Sequence, residues 1–140
     1  MNHIDEFIKK FTEKDIGKII KEKNSYFLAR EKVEFCWKKI GMPASRIGLC
    51  LGSEKNSRFI PSLALLSLLS KISGKKAIVN KKQEWLFTNG RDLATRGKTR
   101  FHEGLVLVQN CFDENIGLGE FQKKGIKNLI DVGDFLRREI

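Results

Sequence analysis

The sequence predicts a two-domain α+β chain, with an antiparallel sheet and helices over residues 1–73 and a small β-barrel over residues 74–140. The pattern changes at Gly74-Lys75-Lys76: helical and strand periodicities mix before it, and short apolar runs alternate with glycines after it. The composition, 41% hydrophobic and 31% charged over 140 residues, is typical of a globular protein with one ordinary or two very small domains.

The sequence gives no sign of membrane insertion or secretion. No apolar run approaches the roughly 20 residues that a membrane helix needs. The N-terminus also lacks the apolar core of a signal peptide. We therefore expect a soluble, intracellular protein.

The N-terminal domain is predicted to begin with an amphipathic helix over residues 2–12. Four apolar side chains there follow the i, i+3, i+4, i+7 spacing of one helix face: Ile4, Phe7, Ile8 and Phe11. Asn2 precedes them and is a suitable N-cap residue. This helix is expected to cover one face of a sheet.

Short apolar runs between residues 16 and 36 (IGKIIKEK, YFLA, KVEFC) predict three antiparallel strands, and residues 37–40 are predicted to form one helical turn. Residues 47–51 are apolar on both sides and predict a central strand. A polar turn, SEKNS, leads to residues 58–60 and then to a helix that starts at Pro61 or Ser62 and ends near Ile72, with Pro61 suited to its first turn. This helix is apolar around most of its circumference, which predicts burial between layers or domains.

The C-terminal domain is predicted to be built from strands with glycines at the corners. Asn89-Gly90 predicts the turn of a hairpin over residues 85–93, and Gly117 and Gly119 predict a strand that passes close to its neighbour. The predicted strands cover residues 76–80, 105–108 and 127–130, and a terminal helix covers 131–139.

The chain carries a net charge of +10, which is unevenly distributed. Residues 75–100 hold eight Lys and Arg against two carboxylates, a local +6, whereas the next twenty residues hold four carboxylates and no Lys or Arg. Such segregation predicts a basic face beside an acidic one. A basic face attracts polyanions such as RNA through sequence-independent electrostatics.

The candidate RNA-binding residues are basic side chains of the C-terminal domain. Three aromatic residues lie among them, Trp85, Phe87 and Phe101, and each suits either base stacking or the domain core. Arginine forks also suit phosphate geometry. The predicted RNA-binding residues are Lys75, Lys76, Arg91, Arg96, Lys98, Arg100, Lys123, Lys124, Lys127, Arg137 and Arg138.

No catalytic, cofactor or metal site is predicted. The three cysteines are odd in number and far apart, so neither a disulfide framework nor a metal-binding pair is expected, and we interpret them as buried small apolar residues. They are Cys36, Cys50 and Cys111. His3 and His102 are the only histidines. Asp92 is expected to cap its turn or pair with a cation rather than act in catalysis.

The order of the C-terminal motifs, LFTNGRDL, a glycine, HEGLVLV and IGLGEF, resembles the PUA domain, an RNA-binding barrel found in RNA-modifying enzymes and ribosome assembly factors. Upstream, IGLCLGSEKNSRFIPSLALLSLL resembles the segment that precedes this domain in the Nip-seven (nuclear import protein seven) family of large-subunit ribosome biogenesis factors. The tail DVGDFLRRE is similar to the family's final helix. The matching positions are Gly48, Gly52, Arg58, Phe59 and the helix from Ser62.

This resemblance implies a PUA-like β-barrel over residues 74–140 and a non-enzymatic, RNA-binding role in large ribosomal subunit assembly and pre-rRNA processing. It implies ribosome assembly factors as partners, with the exosome among them in some family members, met through the N-terminal domain of a monomer. It also implies the cytoplasm as the compartment in an archaeon and the nucleolus in a eukaryote.

Two other functions are compatible with the sequence. One is an accessory subunit or stripped relative of an RNA-modifying enzyme, which a catalytic set in residues 1–73 would favour. The other is a protein-interaction adaptor whose basic face meets an acidic partner. Salt-sensitive association with a protein that survives nuclease treatment would favour the adaptor.

Overall fold

The computed structural model describes residues 2–29 and 48–134 and divides into two compact units, Met1–Leu68 (unit 1) and Leu69–Ile140 (unit 2). Each unit has its own four-stranded sheet, so the predicted α+β class is confirmed. The boundary at Gly74 stays a prediction. The predicted strand KVEFC and the helical turn over 37–40 lie outside the described residues.

Unit 1 places helix α1 (His3–Lys9) beside an antiparallel sheet of strand order β1-β2-β3-β4. As predicted, the Asn2 side chain caps α1 by accepting a hydrogen bond from the Asp5 backbone N–H at 3.1 Å. The predicted apolar face of α1 is buried. The strands are β1 (Lys18–Glu22), β2 (Ser25–Ala29), β3 (Leu49–Lys55) and β4 (Arg58–Pro61).

An aromatic cluster joins α1 to the sheet of unit 1. The Phe59 ring on β4 lies 5.3 Å from the Phe7 ring and 5.7 Å from the Tyr26 ring, centroid to centroid. Gly52 makes room for it, because a Cβ at Gly52 would lie 2.8 Å from the Phe59 ring and 2.4 Å from the Ile60 carbonyl oxygen. Gly52 and Phe59 of the sequence motif are thus parts of one packing arrangement, whereas Arg58 is exposed.

Helix α2 (Leu63–Ile72) follows β4 and begins one residue after Ser62, whereas Pro61, the other predicted start, is the last residue of β4. The Ser62 hydroxyl accepts a hydrogen bond from the Leu65 backbone N–H at 3.1 Å, as an N-cap residue does. Leu65, Leu66 and Leu69 have no exposed surface, whereas Ser67 and Lys71 are exposed, so one face of this helix is buried.

Unit 2 contains a sheet of order β5-β6-β7-β8 and helix α3 (Lys81–Thr88). Strand β5 pairs parallel with β6, and the other neighbours pair antiparallel. A parallel pair needs a crossover connection, and α3 lies within it. The strands are β5 (Lys76–Ile78), β6 (Leu105–Gln109), β7 (Asn115–Phe121) and β8 (Ile126–Asp131).

The predicted hairpin over residues 85–93 is wrong, because the first part of that segment belongs to α3. Asn80 and Gln83 form a capping box in which each side chain bonds the other's backbone N–H at 2.9 Å, and this starts a helix. The chain does turn at Asn89-Gly90, where Asn89 ends the helix and Gly90 has φ +83°. The Asn-Gly pair therefore terminates a helix rather than joining two strands.

One segment joins both edges of the sheet in unit 2. Leu93 bridges Ile126 on β8, and Lys98 bridges Ile78 on β5. The described residues form no continuous closed barrel of strands, but this segment spans the gap between the two edge strands. This arrangement does not contradict the predicted PUA-like β-barrel, because the irregular segment bridges both edge strands of the sheet.

The core of unit 2 depends on Phe87, which is fully buried. Gly117 has φ +151°, and a Cβ there would lie 2.0 Å from the Ile130 carbonyl oxygen and 2.8 Å from the Phe87 ring. The predicted close strand approach at this glycine is confirmed. The buried cluster comprises Ala77, Val79, Phe87, Leu93, Val106, Val108, Ile116, Phe121 and Ile126.

The C-terminal end of the described chain starts a helix. Residues 132–134 are helical, and the Asp131 carboxylate accepts a hydrogen bond from the Asp134 backbone N–H at 2.6 Å. The rest of the predicted helix over 131–139 lies outside the described residues. Among the helices that the structure describes, none combines the length and hydropathy needed to cross a membrane.

Candidate nucleic-acid interface

Exposed cations gather along the segment that spans the edges of the second sheet. We call this surface the basic strip; it consists of residues 91–100 and of the β7–β8 turn, residues 122–125. Its exposed cationic members are Arg91, Lys98, Arg100, Lys123 and Lys124, and it also contains the exposed carboxylate of Asp92.

Arg96 fastens the two parts of the basic strip together. Its Nε and Nη2 donate hydrogen bonds to the Gln122 carbonyl oxygen at 3.1 and 2.7 Å, and Nη2 also donates to the Lys123 carbonyl oxygen at 2.9 Å. Its guanidinium carbon also lies 5.8 Å from the centre of the Phe121 ring. Because these bonds use much of its guanidinium group, Arg96 holds the backbone of Gln122 and Lys123 in the β7–β8 turn and is only partly available to a ligand.

Asp92 joins the basic strip to β8. Its Oδ1 accepts a hydrogen bond from the Asn128 backbone N–H at 2.8 Å, and the Asn128 side chain donates to the Phe87 carbonyl oxygen at 2.7 Å. Asp92 therefore holds a neighbouring strand instead of capping its own turn. This gives the carboxylate a structural role.

Lys76 is engaged inside unit 2. Its Nζ forms an ion pair with Asp113 at 2.9 Å, and the hydrogen bond from Lys76 is the main reason why the pKa of Asp113 lies below its ordinary value. Asp113 sits in the β6–β7 turn, which Asn110 organises by accepting hydrogen bonds from the Phe112 and Glu114 backbone N–H groups. Lys76 thus stabilises an acidic turn and leaves little charge for an external anion.

The remaining predicted RNA-binding residues lie in different places. Lys75 is half-buried, and its Nζ would lie 3.0 Å from a Cβ at Gly104. Lys127 is exposed on β8. Arg137 and Arg138 lie outside the described residues. The structure therefore brings together the residues of the basic strip and separates Lys76 from them functionally.

The three predicted aromatics have different environments. Phe87 is fully buried, as a core residue would be. Trp85 and Phe101 are 62% and 38% exposed, so the core interpretation fails for both. The sequence places the three rings in one basic region, but only the fold decides which of them meet solvent.

Sequence reasoning missed two cations, Lys81 and Lys82, as candidate site residues. Both are exposed and lie in the first turn of α3, next to Trp85 on the helix surface. The available signal was Asn80-Lys81-Lys82-Gln83, a capping-box pattern that predicts a helix start. Recognising this helix would have placed both lysines within one turn of the tryptophan.

The exposed cations of unit 2 are not neutralised by salt bridges within the described chain. Lys76–Asp113 is the ion pair of unit 2 there, and neither Lys81, Lys82 nor any exposed member of the basic strip forms one with a described carboxylate. Unpaired cations on one surface produce a positive potential that attracts polyanions.

A polar cluster in unit 1 contrasts with this surface. The buried Tyr26 hydroxyl donates a hydrogen bond to Glu54, whose carboxylate also pairs with Lys21 at 3.2 Å and with His3 at 3.1 Å. Burial, followed by the bond to Glu54, raises the pKa of Tyr26, and the hydrogen bond from Tyr26 is the main cause of a lowered pKa at Glu54. The hydrogen bond with Glu54 likewise raises the pKa of Lys21. These groups satisfy one another.

The prediction that the cysteines are buried is wrong for Cys50 and Cys111, which are exposed free thiols. Cys36 lies outside the described residues. The number and spacing of the cysteines excluded a disulfide framework and a metal pair but do not determine burial. Cys50 lies on an exposed part of β3, and Cys111 lies in the β6–β7 turn. Within residues 2–29 and 48–134, no three His, Cys, Asp or Glu side chains are grouped to hold a metal ion.

The structure resembles that of a conserved PUA domain protein from Thermoplasma acidophilum, with a TM-score of 0.54 and 14% sequence identity, over 97% of this chain and 91% of that one. This chain has a PUA-like fold. A hypothetical protein from the archaeon Pyrococcus horikoshii OT3 matches with a TM-score of 0.47 and 13% identity, over 94% of this chain and 83% of that one. No protein-family model and no curated protein matches the sequence. The PUA-like fold agrees with the motif order of the C-terminal half.

Proposed function

We propose that the protein binds RNA through the basic strip of unit 2, without catalysing a reaction. The observation that carries this proposal is the set of exposed cations along the strip, which have no carboxylate partner in the described chain. Arg96 supports the same interpretation, since its hydrogen bonds to the carbonyl oxygens of Gln122 and Lys123 hold the turn that carries Lys123 and Lys124. The PUA-like fold adds support, because PUA domains are RNA-binding modules in the proteins that the C-terminal motifs resemble.

We further propose a role in large ribosomal subunit assembly and pre-rRNA processing, as the resemblance to the Nip-seven family implies. Unit 1 would then meet protein partners, which would be ribosome assembly factors and, as in some family members, the exosome. We propose that the protein acts as a monomer, in the cytoplasm of an archaeon or the nucleolus of a eukaryote. Crosslinking in cells followed by sequencing of the bound RNA tests this role, and recovery of rRNA precursors is the expected result.

RNA binding itself is tested by titrating a labelled single-stranded RNA with the full chain at about 50 and about 200 mM salt. We expect the affinity to fall steeply with salt, because lysine and arginine side chains that bind phosphates release counterions from the RNA. The double variant Lys98→Ala/Arg100→Ala should weaken binding and reduce the salt slope by about one unit for each phosphate that the protein no longer neutralises.

A matched control removes two positive charges from unit 1 instead. Lys9→Ala/Lys14→Ala changes two exposed lysines that form no ion pair in the described chain, so it alters the net charge equally. If both double variants weaken binding to the same extent, the net charge rather than the basic strip attracts RNA. Binding that is absent or independent of salt would refute the proposal.

A further inference from the structure

Trp85 is a large aromatic side chain left in solvent. It is 62% exposed, although tryptophan is among the most strongly apolar residues and the core of unit 2 lies two residues away at Phe87. Exposure of such a ring has no benefit for folding, because burying it would have added apolar surface to the core. The surroundings of the ring indicate what it could bind.

The backbone around Trp85 is held in place by several independent contacts. The capping box of Asn80 and Gln83 fixes the start of α3, and Asn128 holds the other end through the Phe87 carbonyl oxygen at 2.7 Å. The Trp85 carbonyl oxygen accepts a hydrogen bond from the Asn89 side chain at 2.7 Å. Because the backbone that carries the ring is held, binding needs to order only the side-chain rotations of Trp85, which limits the entropic cost.

The neighbours of Trp85 on the helix surface are all polar. Positions three and four residues away on a helix lie next to each other, and here they are occupied by Lys81, Lys82, Thr88 and Asn89. A helix that docks on a protein groove presents several apolar anchors at these spacings. A single ring flanked by two lysines fits a ligand that has both a flat apolar face and negative charge.

The two lysines are not placed there to stabilise the helix. They occupy the first turn of α3, where the helix dipole favours negative rather than positive groups. Neither has an ion-pair partner among the described residues. Their charge is thus available to a phosphate next to a base stacked on Trp85.

The basic strip begins close to this ring. The Arg91 backbone N–H donates a hydrogen bond at 3.1 Å to the carbonyl oxygen of Leu86, the residue that follows Trp85. The backbone of Arg91 therefore lies next to the end of α3, so cationic residues precede Trp85 in the helix, at Lys81 and Lys82, and follow it at Arg91.

We propose that Trp85 is a stacking platform for one unpaired nucleobase, with Lys81 and Lys82 binding the adjacent phosphates, so that the protein prefers single-stranded RNA to duplex RNA. This inference rests on the proposed RNA-binding function and adds the class of RNA. In a duplex the faces of the bases are covered by their neighbours, so only an unpaired base can stack on a protein side chain. Base–aromatic stacking is also tolerant of sequence.

The test compares the full-length protein with Trp85→Ala, Trp85→Phe and Trp85→Leu. The probes are a single-stranded RNA of about 12 nucleotides containing 2-aminopurine and the same strand paired with its complement. Trp85→Ala should weaken single-strand binding about ten-fold and abolish the quenching of 2-aminopurine, whereas Trp85→Phe should retain most of the affinity and Trp85→Leu should not. Duplex binding and the salt slope should not change, because the ring is neutral.

Two further variants separate the contributions. Phe112→Ala removes a ring that is 73% exposed but lies in the acidic β6–β7 turn, so it should bind single-stranded RNA like the parent. Lys81→Ala/Lys82→Ala should lower the salt slope by about one unit for each phosphate left without its lysine. Circular dichroism melting curves confirm that each variant is folded.

The possible results distinguish this inference from the proposed function. Salt-dependent RNA binding that is unchanged in Trp85→Ala overturns the stacking role and leaves RNA binding intact. Equal losses for single strand and duplex overturn the unpaired-base preference. If the parent protein binds neither RNA, both proposals fail. Binding of Trp85 to a protein in the presence of nuclease, with no effect of Trp85→Ala on RNA, assigns the ring to a protein partner instead.

Discussion

Units 1 and 2 carry the same net charge of +5, with 13 Lys and Arg against 8 Asp and Glu in unit 1 and 14 against 9 in unit 2. In unit 1, the carboxylate of Glu54 takes bonds from Lys21, His3 and Tyr26, so opposite charges are consumed within one cluster. In unit 2, several carboxylates are instead satisfied by uncharged donors.

Asn110 is an example of an uncharged side chain in unit 2 that bonds to carboxylates in place of a lysine or arginine. Its side-chain amide donates to both Glu84 and Glu114 at 3.1 Å, and the Asp92 carboxylate accepts from the Asn128 backbone N–H. Carboxylates with such partners need no lysine or arginine to meet their hydrogen-bonding demand. Equal net charges can therefore produce a self-satisfied cluster in one unit and an exposed basic strip in the other.

The largest effect is expected from removing the core of unit 2 alone. Phe87→Ala should lower the free energy of unfolding of unit 2 by about 3–5 kcal/mol, because it empties the centre of a buried cluster. This is a large part of the stability of a typical small domain, so RNA binding should be lost. Hydrogen exchange resolved by residue measures the two units separately.

The core cluster that contains Phe87 draws all its buried members from unit 2, so unit 1 should keep its protection from exchange. Phe112→Ala, which changes an exposed ring, serves as the stability control. Loss of protection from exchange in both units would contradict the expectation that unit 1 stays folded when the core of unit 2 is removed.

A smaller effect tests a feature that the two sheets share. Gly52 and Gly117 both have φ near +150° and both lie where a Cβ would clash with a carbonyl oxygen, at 2.4 and 2.0 Å respectively. Replacing either by alanine should cost roughly 1–3 kcal/mol, because L residues are strained in this conformation. Thermal melting of each single variant measures the loss.

Gly74→Ala is the matched control, since nothing lies within 4 Å of a Cβ at that position and its φ is not positive. It should melt at or slightly above the temperature of the parent. If Gly117→Ala melts at the same temperature as Gly74→Ala, β7 can move away from β8 without a loss of stability.

The smallest effect concerns the pH dependence of unit 1. Because the pKa of Tyr26 is raised, its contribution is present at neutral pH and is lost as the pH rises above about 10. Because the pKa of Glu54 is lowered, its contribution is present above about pH 4 and is lost as the pH falls further. Urea denaturation monitored across the pH range measures both limbs.

Tyr26→Phe should remove most of the loss of stability at alkaline pH. Glu54→Gln should remove most of the loss of stability at acid pH that is due to Glu54. Neither should change RNA affinity between about pH 6 and pH 8, because both residues lie in unit 1 and the basic strip lies in unit 2. A change of RNA affinity in Glu54→Gln would show that the polar cluster of unit 1 contributes to the RNA surface.

Local patterns in the sequence were sufficient to predict several elements. The spacing of Ile4, Phe7 and Ile8 with the cap at Asn2 predicted α1, because a helix repeats its face every three to four residues. Apolar runs predicted β6 and β8, and Gly117 predicted a close strand approach. The motif order predicted a PUA-like fold, with which the structural similarity agrees.

Helix α3 could have been predicted but was not. Asn89-Gly90 is a strong hairpin signal, and the apolar residues before it were interpreted as a strand. The capping pattern from Asn80 to Gln83 was the competing signal. The prediction was wrong because it used the turn signal at the end of the segment and ignored the helix-start signal at its beginning.

Only the tertiary structure decided which candidate residues are available to a ligand. Lys76 meets Asp113 across 37 residues of sequence, and Arg96 meets Gln122 across 26, so neither pairing is visible in a local pattern. Trp85 and Phe87 stand two positions apart, and the helix turns one to solvent and the other into the core. The sequence by itself determined how many basic and aromatic side chains each region contains and the periodicity of the helices and strands. Burial and charge pairing depend on residues distant in the chain, and for that reason they belong to the fold.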